Sequence, residues 1–126
     1  MASDDVWILG IHMTKFGKHP DLDLVDLASE AVQGALSDGG VTMKDMGIIG
    51  AGNLMGGALP IGQVVQKQLG QTGIPVYNVS NACATGATAL RVAAMAVKAG
   101  ETDMGLAFGV EKLAGARAGD CVGGSQ

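Results

Sequence analysis

Short apolar runs alternate along this chain with longer stretches in which apolar residues return every three or four positions, and glycines stand at the joins. The first run, Val6-Trp7-Ile8-Leu9-Gly10-Ile11, is rich in β-branched and aromatic residues, as a strand covered on both faces requires. After a polar connection over residues 15–20, Leu24, Leu27, Ala28, Ala31, Val32, Ala35 and Leu36 fall at offsets 0, 3, 4, 7, 8, 11 and 12, the period of an amphipathic helix. Asp23 is positioned to cap it, Asp26 stands three residues on, and Gly39-Gly40 close it. Residues 46–54 read as a second short buried strand running into a loop, and residues 62–70 as a short helix with one covered face. Residues 74–79 read as a third strand, with Pro75 near its start where a missing N–H does least harm. An Ala-rich helix over residues 82–99, with small residues all round, is expected to be buried and closely packed. A fourth strand over residues 104–110 completes the series. Strand and helix in strict alternation predict an α/β fold with a mainly parallel sheet.

The chain has 126 residues, about one domain. With 48% hydrophobic and 16% charged residues it has the means to bury a core. Twenty-one glycines lack any Gly-X-Y period, so they punctuate segments. Eight Lys and Arg against twelve Asp and Glu give a net charge of −4, and the basic residues are scattered, which argues against a nucleic-acid partner. The acidic start and the shortness of the apolar runs argue against a signal peptide and membrane insertion, so a soluble, cytoplasmic protein is expected. Two cysteines far apart, Cys83 and Cys121, read as thiols in that setting.

Cys83 falls between the third strand and the Ala-rich helix. A cysteine in the first turn of a helix faces free backbone N–H groups and the positive end of the macrodipole, and both favour a thiolate nucleophile. The same N–H groups are placed to bind an oxyanion when sulfur attacks a carbonyl, and Ala84, Gly86 and Ala87 leave room for a substrate. In open α/β sheets ligands bind beyond the carboxyl ends of the strands, where this cysteine lies. Composition alone leaves the other reading open, because free cysteine is often a buried structural residue.

The string Asn81-Ala82-Cys83-Ala84-Thr85-Gly86 with the Ala-rich helix behind it resembles the nucleophile segment of the thiolase family, particularly its lipid-transfer-protein (sterol-carrier) type. Gly10-Ile11-His12-Met13-Thr14-Lys15-Phe16-Gly17 resembles that subgroup's first strand and loop, and Gly105-Leu106-Ala107-Phe108-Gly109-Val110-Glu111-Lys112 its fourth strand. The resemblance implies a thiolase-like N-terminal half, with sheet order 3-2-1-4 and a fifth strand missing. It implies that Cys83 is the residue acylated and that a coenzyme A thioester is the substrate, with no permanently bound cofactor and no metal. The reaction would be thiolytic cleavage or Claisen condensation. It also implies association, as a homodimer through the edge strand at residues 74–79 or with a complementary thiolase half. On this reading residues 1–113 are an incomplete thiolase N-terminal domain and residues 114–126 an irregular tail.

The family's catalytic base, a His in a Gly-His-Pro segment of the second half, has no counterpart here. Lys18-His19-Pro20 continues as Asp21-Leu22 and lies in the first connection, so His19 reads as a loop residue, and His12 as a strand-end or loop residue. Cys121-Val122-Gly123-Gly124 is similar to the turn carrying the family's second cysteine, but so short a Gly-rich string reads in preference as a tail. Two further functions stay open: a non-catalytic thiolase-like interaction subunit, and a fragment of a thiolase-like retro-aldolase. Gly50-Ala51-Gly52-Asn53-Leu54-Met55-Gly56 misses a dinucleotide fingerprint by one position, and no acidic residue stands near position 70, so its glycines read as a tight loop. Asn78-Val79-Ser80 has the form of a glycosylation acceptor without a secretory route. The methionines form no stripe, and Asp21, Asp23 and Asp26 read as a solvated helix start in preference to a metal cluster.

Overall fold

A computed structural model describes residues 5–56 and 58–113. Three parallel strands, β1 (Ile49–Gly52), β2 (Val76–Val79) and β3 (Leu106–Gly109), form a sheet in the order β2-β1-β3. Helices α1 (Leu24–Gly39), α2 (Ile61–Leu69) and α3 (Thr85–Lys98) alternate with them. The α/β class and the parallel sheet expected from the alternation are present. Cys121 and the remainder of the segment read as a tail, residues 114–126, lie outside the described residues.

The helix expected from Leu24 has the ends its sequence specifies. Asp26 N–H donates to Asp23 Oδ1 at 2.8 Å, and Asp23 N–H donates to Asp26 Oδ2 at 3.0 Å, a reciprocal capping box. Gly40 closes the helix at φ 67°, in the left-handed region that favours glycine. Both carboxylates are thereby used on backbone donors.

The two faces of the sheet are built differently. Ile49 and Ala51 of β1, with Leu106 and Phe108 of β3, bury themselves against α1 and α2 through Ala28, Val32, Leu36, Ile61 and Val65. Val32, Ile49, Ile61 and Val65 are fully buried, worth about 1.5–3 kcal/mol each. On the opposite face, Gly50 and Gly52 of β1 and Gly109 of β3 present only backbone to α3. A Cβ at Gly50 would strike the Ala89 carbonyl oxygen, one at Gly52 would lie 2.9 Å from that of Thr85, and one at Gly109 would lie 2.8 Å from Gly86 Cα. Gly50 and Gly52 are therefore strand residues that bring a helix close, where the sequence suggested a tight loop.

Two expectations are corrected. Residues 6–11 are not a strand between β1 and β3: those strands pair directly, Ile49 with Leu106 through Gly52 with Gly109, which leaves no slot for the 3-2-1-4 order. The segment instead runs unpaired beside α1. Ile11 N–H donates to Asp38 Oδ2 at 2.9 Å, and Gly10 packs so closely on Ala35 and Gly39 that a side chain there would strike them. Trp7 is 82% exposed and Ile11 71%. An apolar run encodes the wish for cover but not the identity of its neighbour. Nor is α3 buried all round. Thr85, Ala89, Ala93 and Ala96 face the sheet, while Leu90 and Met95 on its other side are exposed. Small side chains here serve the close approach on one face only.

Candidate active site

Strand β2 ends at Val79, and the chain turns through residues 80–84 into α3. Cys83 stands in that turn and is an exposed free thiol. The turn is held in an uncommon shape: Ala82 has φ 47°, the only positive φ of a non-glycine among the described residues. Such a conformation costs on the order of 1–3 kcal/mol and persists only where its surroundings determine it.

Hydrogen bonds supply that determination. The buried Thr85 hydroxyl accepts from Asn81 N–H at 2.8 Å and donates to the Ala82 carbonyl at 2.7 Å. Asn81 Nδ2 donates to Thr88 Oγ1 at 3.0 Å, and that hydroxyl donates to the Ala84 carbonyl at 2.9 Å. Ala84 N–H donates to the Asn81 carbonyl at 2.9 Å and Thr85 N–H to that of Ala82 at 3.3 Å, so both are occupied. The first-turn N–H groups of Gly86 and Ala87 have no backbone acceptor among the described residues. Thiol and free amide donors thus share one helix end, the arrangement that suits attack on a carbonyl.

Further supports come from strand ends. Glu111, just after β3, accepts from the backbone N–H groups of Leu54 and Met55. Asn53 Nδ2 donates to the Val110 carbonyl at 2.8 Å, and its Oδ1 accepts from Gly56 N–H at 2.7 Å. These bonds tie the loop after β1 to the end of β3. On the other side of the sheet, Asn78 Oδ1 accepts from Gly62 N–H at 2.8 Å and so caps the start of α2. Sequence reasoning missed Thr85, Asn53 and Glu111, because their partners lie across the fold or depend on the turn's shape. A Thr two residues after a candidate nucleophile was the one available signal.

The histidines have other surroundings. His19 Nε2 lies 2.7 Å from the Lys15 carbonyl in its own connection, and the His12 ring packs over Gly34 of α1. A cavity of about 880 Å³ extends from residues 6–11 past Leu36, Ala93 and Phe108 to Cys83. Among the described residues no three His, Cys, Asp or Glu side chains are grouped to hold a metal ion, and no helix is long and apolar enough to cross a membrane.

A parallel α/β sheet with a cysteine at the turn into a closely packed helix defines the class to which the comparisons assign this chain. Residues 6–122 match the thiolase N-terminal domain, and the chain belongs to the thiolase family. It is 40% identical over 111 residues to sterol carrier protein 2 of Gallus gallus, covering 86% of this chain and 20% of that protein. It is 38% identical over 113 residues to acetyl-CoA acetyltransferase of Methanothermobacter thermautotrophicus, covering 86% of this chain and 30% of the relative. The chain thus spans between a fifth and a third of the length of these relatives. Two solved structures share the fold: a variant of OleA from Xanthomonas campestris (TM-score 0.58, 22% identity, 66% of this chain and 25% of that one), and 3-oxoacyl-(acyl-carrier-protein) synthase III from Aquifex aeolicus (TM-score 0.58, 23% identity, 64% and 27%).

Proposed function

We propose that this chain is the nucleophile-bearing part of a thiolase-type acyl-CoA acyltransferase, with Cys83 as the acyl carrier. The observation that carries the reading is the exposed Cys83 thiol on a braced turn, beside the unoccupied N–H groups of Gly86 and Ala87. Sulfur attacks the thioester carbonyl, the carbonyl oxygen takes the negative charge, and collapse of the tetrahedral adduct expels the coenzyme A thiolate. The proton leaving Cys83 ends on that thiolate, carried by a base. General-base help of this kind contributes about 10²–10⁴ in rate. The chain spans at most about a third of its relatives in the comparison above, and the base is assigned to the remainder of the assembly, since His19 is held within its own loop. Thiolysis or Claisen condensation then discharges the acyl group. The cavity beside Cys83 is lined by apolar side chains such as Leu36 and Phe108, which favours an acyl substituent over a charged one.

The test is direct acylation. Incubation with acetyl-CoA should add one acetyl group to Cys83, seen by intact mass and peptide mapping, with release of free coenzyme A. Cys83→Ala should abolish both. Acetylation elsewhere, or equal coenzyme A release by Cys83→Ala, would overturn the reading.

A second reading, a non-catalytic association subunit, is favoured by the exposed apolar segment at Trp7, Ile8, Leu9 and Ile11. Pairing of two copies through β2 is supported by that strand's place at the sheet edge, with Tyr77 half exposed. Light scattering checks both, and a monodisperse monomer that acylates at Cys83 would dismiss them.

A further inference from the structure

We propose that Thr85 is a positioning residue that sets the reactivity of Cys83 by holding the turn in front of it. The inference rests on the reading of Cys83 as nucleophile. Ala82 adopts a left-handed conformation that an alanine does not prefer, and Cys83 follows it directly. One side-chain oxygen, that of Thr85, bonds the backbone on both sides of the strained residue: Asn81 N–H before it and the Ala82 carbonyl after it. The hydroxyl serves as acceptor and donor at once, using its one proton and one of its two lone pairs. It is buried at 6% exposure, so solvent does not take over either bond if it is removed.

The Thr85 methyl lies over the bare backbone of β1, since a Cβ on Gly52 would come within 2.9 Å of Thr85 Cγ2. The two bonds of the hydroxyl, not this contact, hold the turn. The free N–H groups of Gly86 and Ala87 follow in the same turn of helix, so the position of sulfur relative to those donors depends on the same clamp. A misplacement of about 1 Å is enough to cost a reaction about a hundredfold.

Three substitutions separate clamping from simple packing. Thr85→Val keeps the shape and removes both bonds. Thr85→Ser keeps the bonds and removes the methyl. Ala82→Gly removes the conformational strain, because glycine enters the left-handed region freely. With the rate of Cys83 acylation by acetyl-CoA as the readout, Thr85→Val should be slowed at least about tenfold, and Thr85→Ser should stay within about threefold of the parent. Adding Ala82→Gly to Thr85→Val should recover most of the lost rate. Acylation by Thr85→Val at the parental rate, or a Thr85→Ser variant as slow as Thr85→Val, would overturn the proposal. If Thr85→Val does not fold, amide exchange of the parent decides: Asn81 N–H should be protected to the level of the α3 interior, and exchange at the rate of an open loop would overturn it. A parent chain whose Cys83 gains no acetyl group even on incubation prolonged enough to offset a base worth about 10²–10⁴ in rate refutes the proposed function, whereas the exchange rate of Asn81 still reports on the clamp.

Discussion

Replacing Gly109 with alanine should lift α3 off the sheet and move Cys83 with it. A Cβ at Gly109 would lie 2.8 Å from Gly86 Cα, whereas carbon atoms settle about 3.5–4.0 Å apart, so the two backbones must separate by about 0.7–1.2 Å. Neither partner has a side chain that yields. Overpacking of this kind costs about 1–3 kcal/mol, which lowers Tm by roughly 3–15 °C for a domain of this size. Because Gly86 lies in the first turn of α3, acylation of Cys83 should fall as well, by about tenfold to a hundredfold. Gly105→Ala is the paired control. Its new Cβ would meet Ile48 Cγ2 at 2.8 Å and Ala93 Cβ at 3.4 Å, both side-chain atoms, past the middle of α3 and about two turns beyond Gly86. It should lower Tm and leave acylation nearly unchanged. Thermal unfolding by circular dichroism and timed mass spectra of the acyl-enzyme supply the two readouts. A Gly109→Ala variant with parental Tm and parental acylation would refute the claim that bare backbone contact positions the helix.

Loss of the Asp23 side chain removes the side-chain acceptor of the α1 capping box, and Asp23→Ala should destabilise the chain by about 0.5–2 kcal/mol in urea unfolding, with Asp23→Asn retaining most of the stability. Glu111→Ala frees the backbone N–H groups of Leu54 and Met55, and limited proteolysis should then cleave the segment after β1 faster than in the parent.

What could be read from the sequence was what neighbouring residues decide among themselves. The α1 boundaries follow from the spacing of Leu24 through Leu36 and from Asp23, Asp26 and Gly40, all within one segment, and they were legible almost to the residue. Cys83 was legible as lying between β2 and α3, but it was expected inside the first turn of a helix beginning at residue 82, whereas α3 begins at Thr85 and Cys83 stands in the turn before it. Residues 6–11 carried the composition of a buried strand, but the direct pairing of β1 with β3 is a long-range choice that the run does not encode. The glycines of β1 were misread as loop because their purpose, admitting Ala89 and Thr85, appears only once α3 is laid across them. The Thr85 clamp was illegible for a related reason: its acceptor and donor become neighbours only when Ala82 takes a positive φ.

Among the described residues strand β3 is bonded on one flank alone, and its alternate residues Ala107 and Gly109 turn their peptide groups outward. A ribbon with such a margin is a template, ready to be lengthened by any extended peptide that arrives first. An extended segment that covers this margin therefore competes with edge-to-edge pairing between copies of the chain.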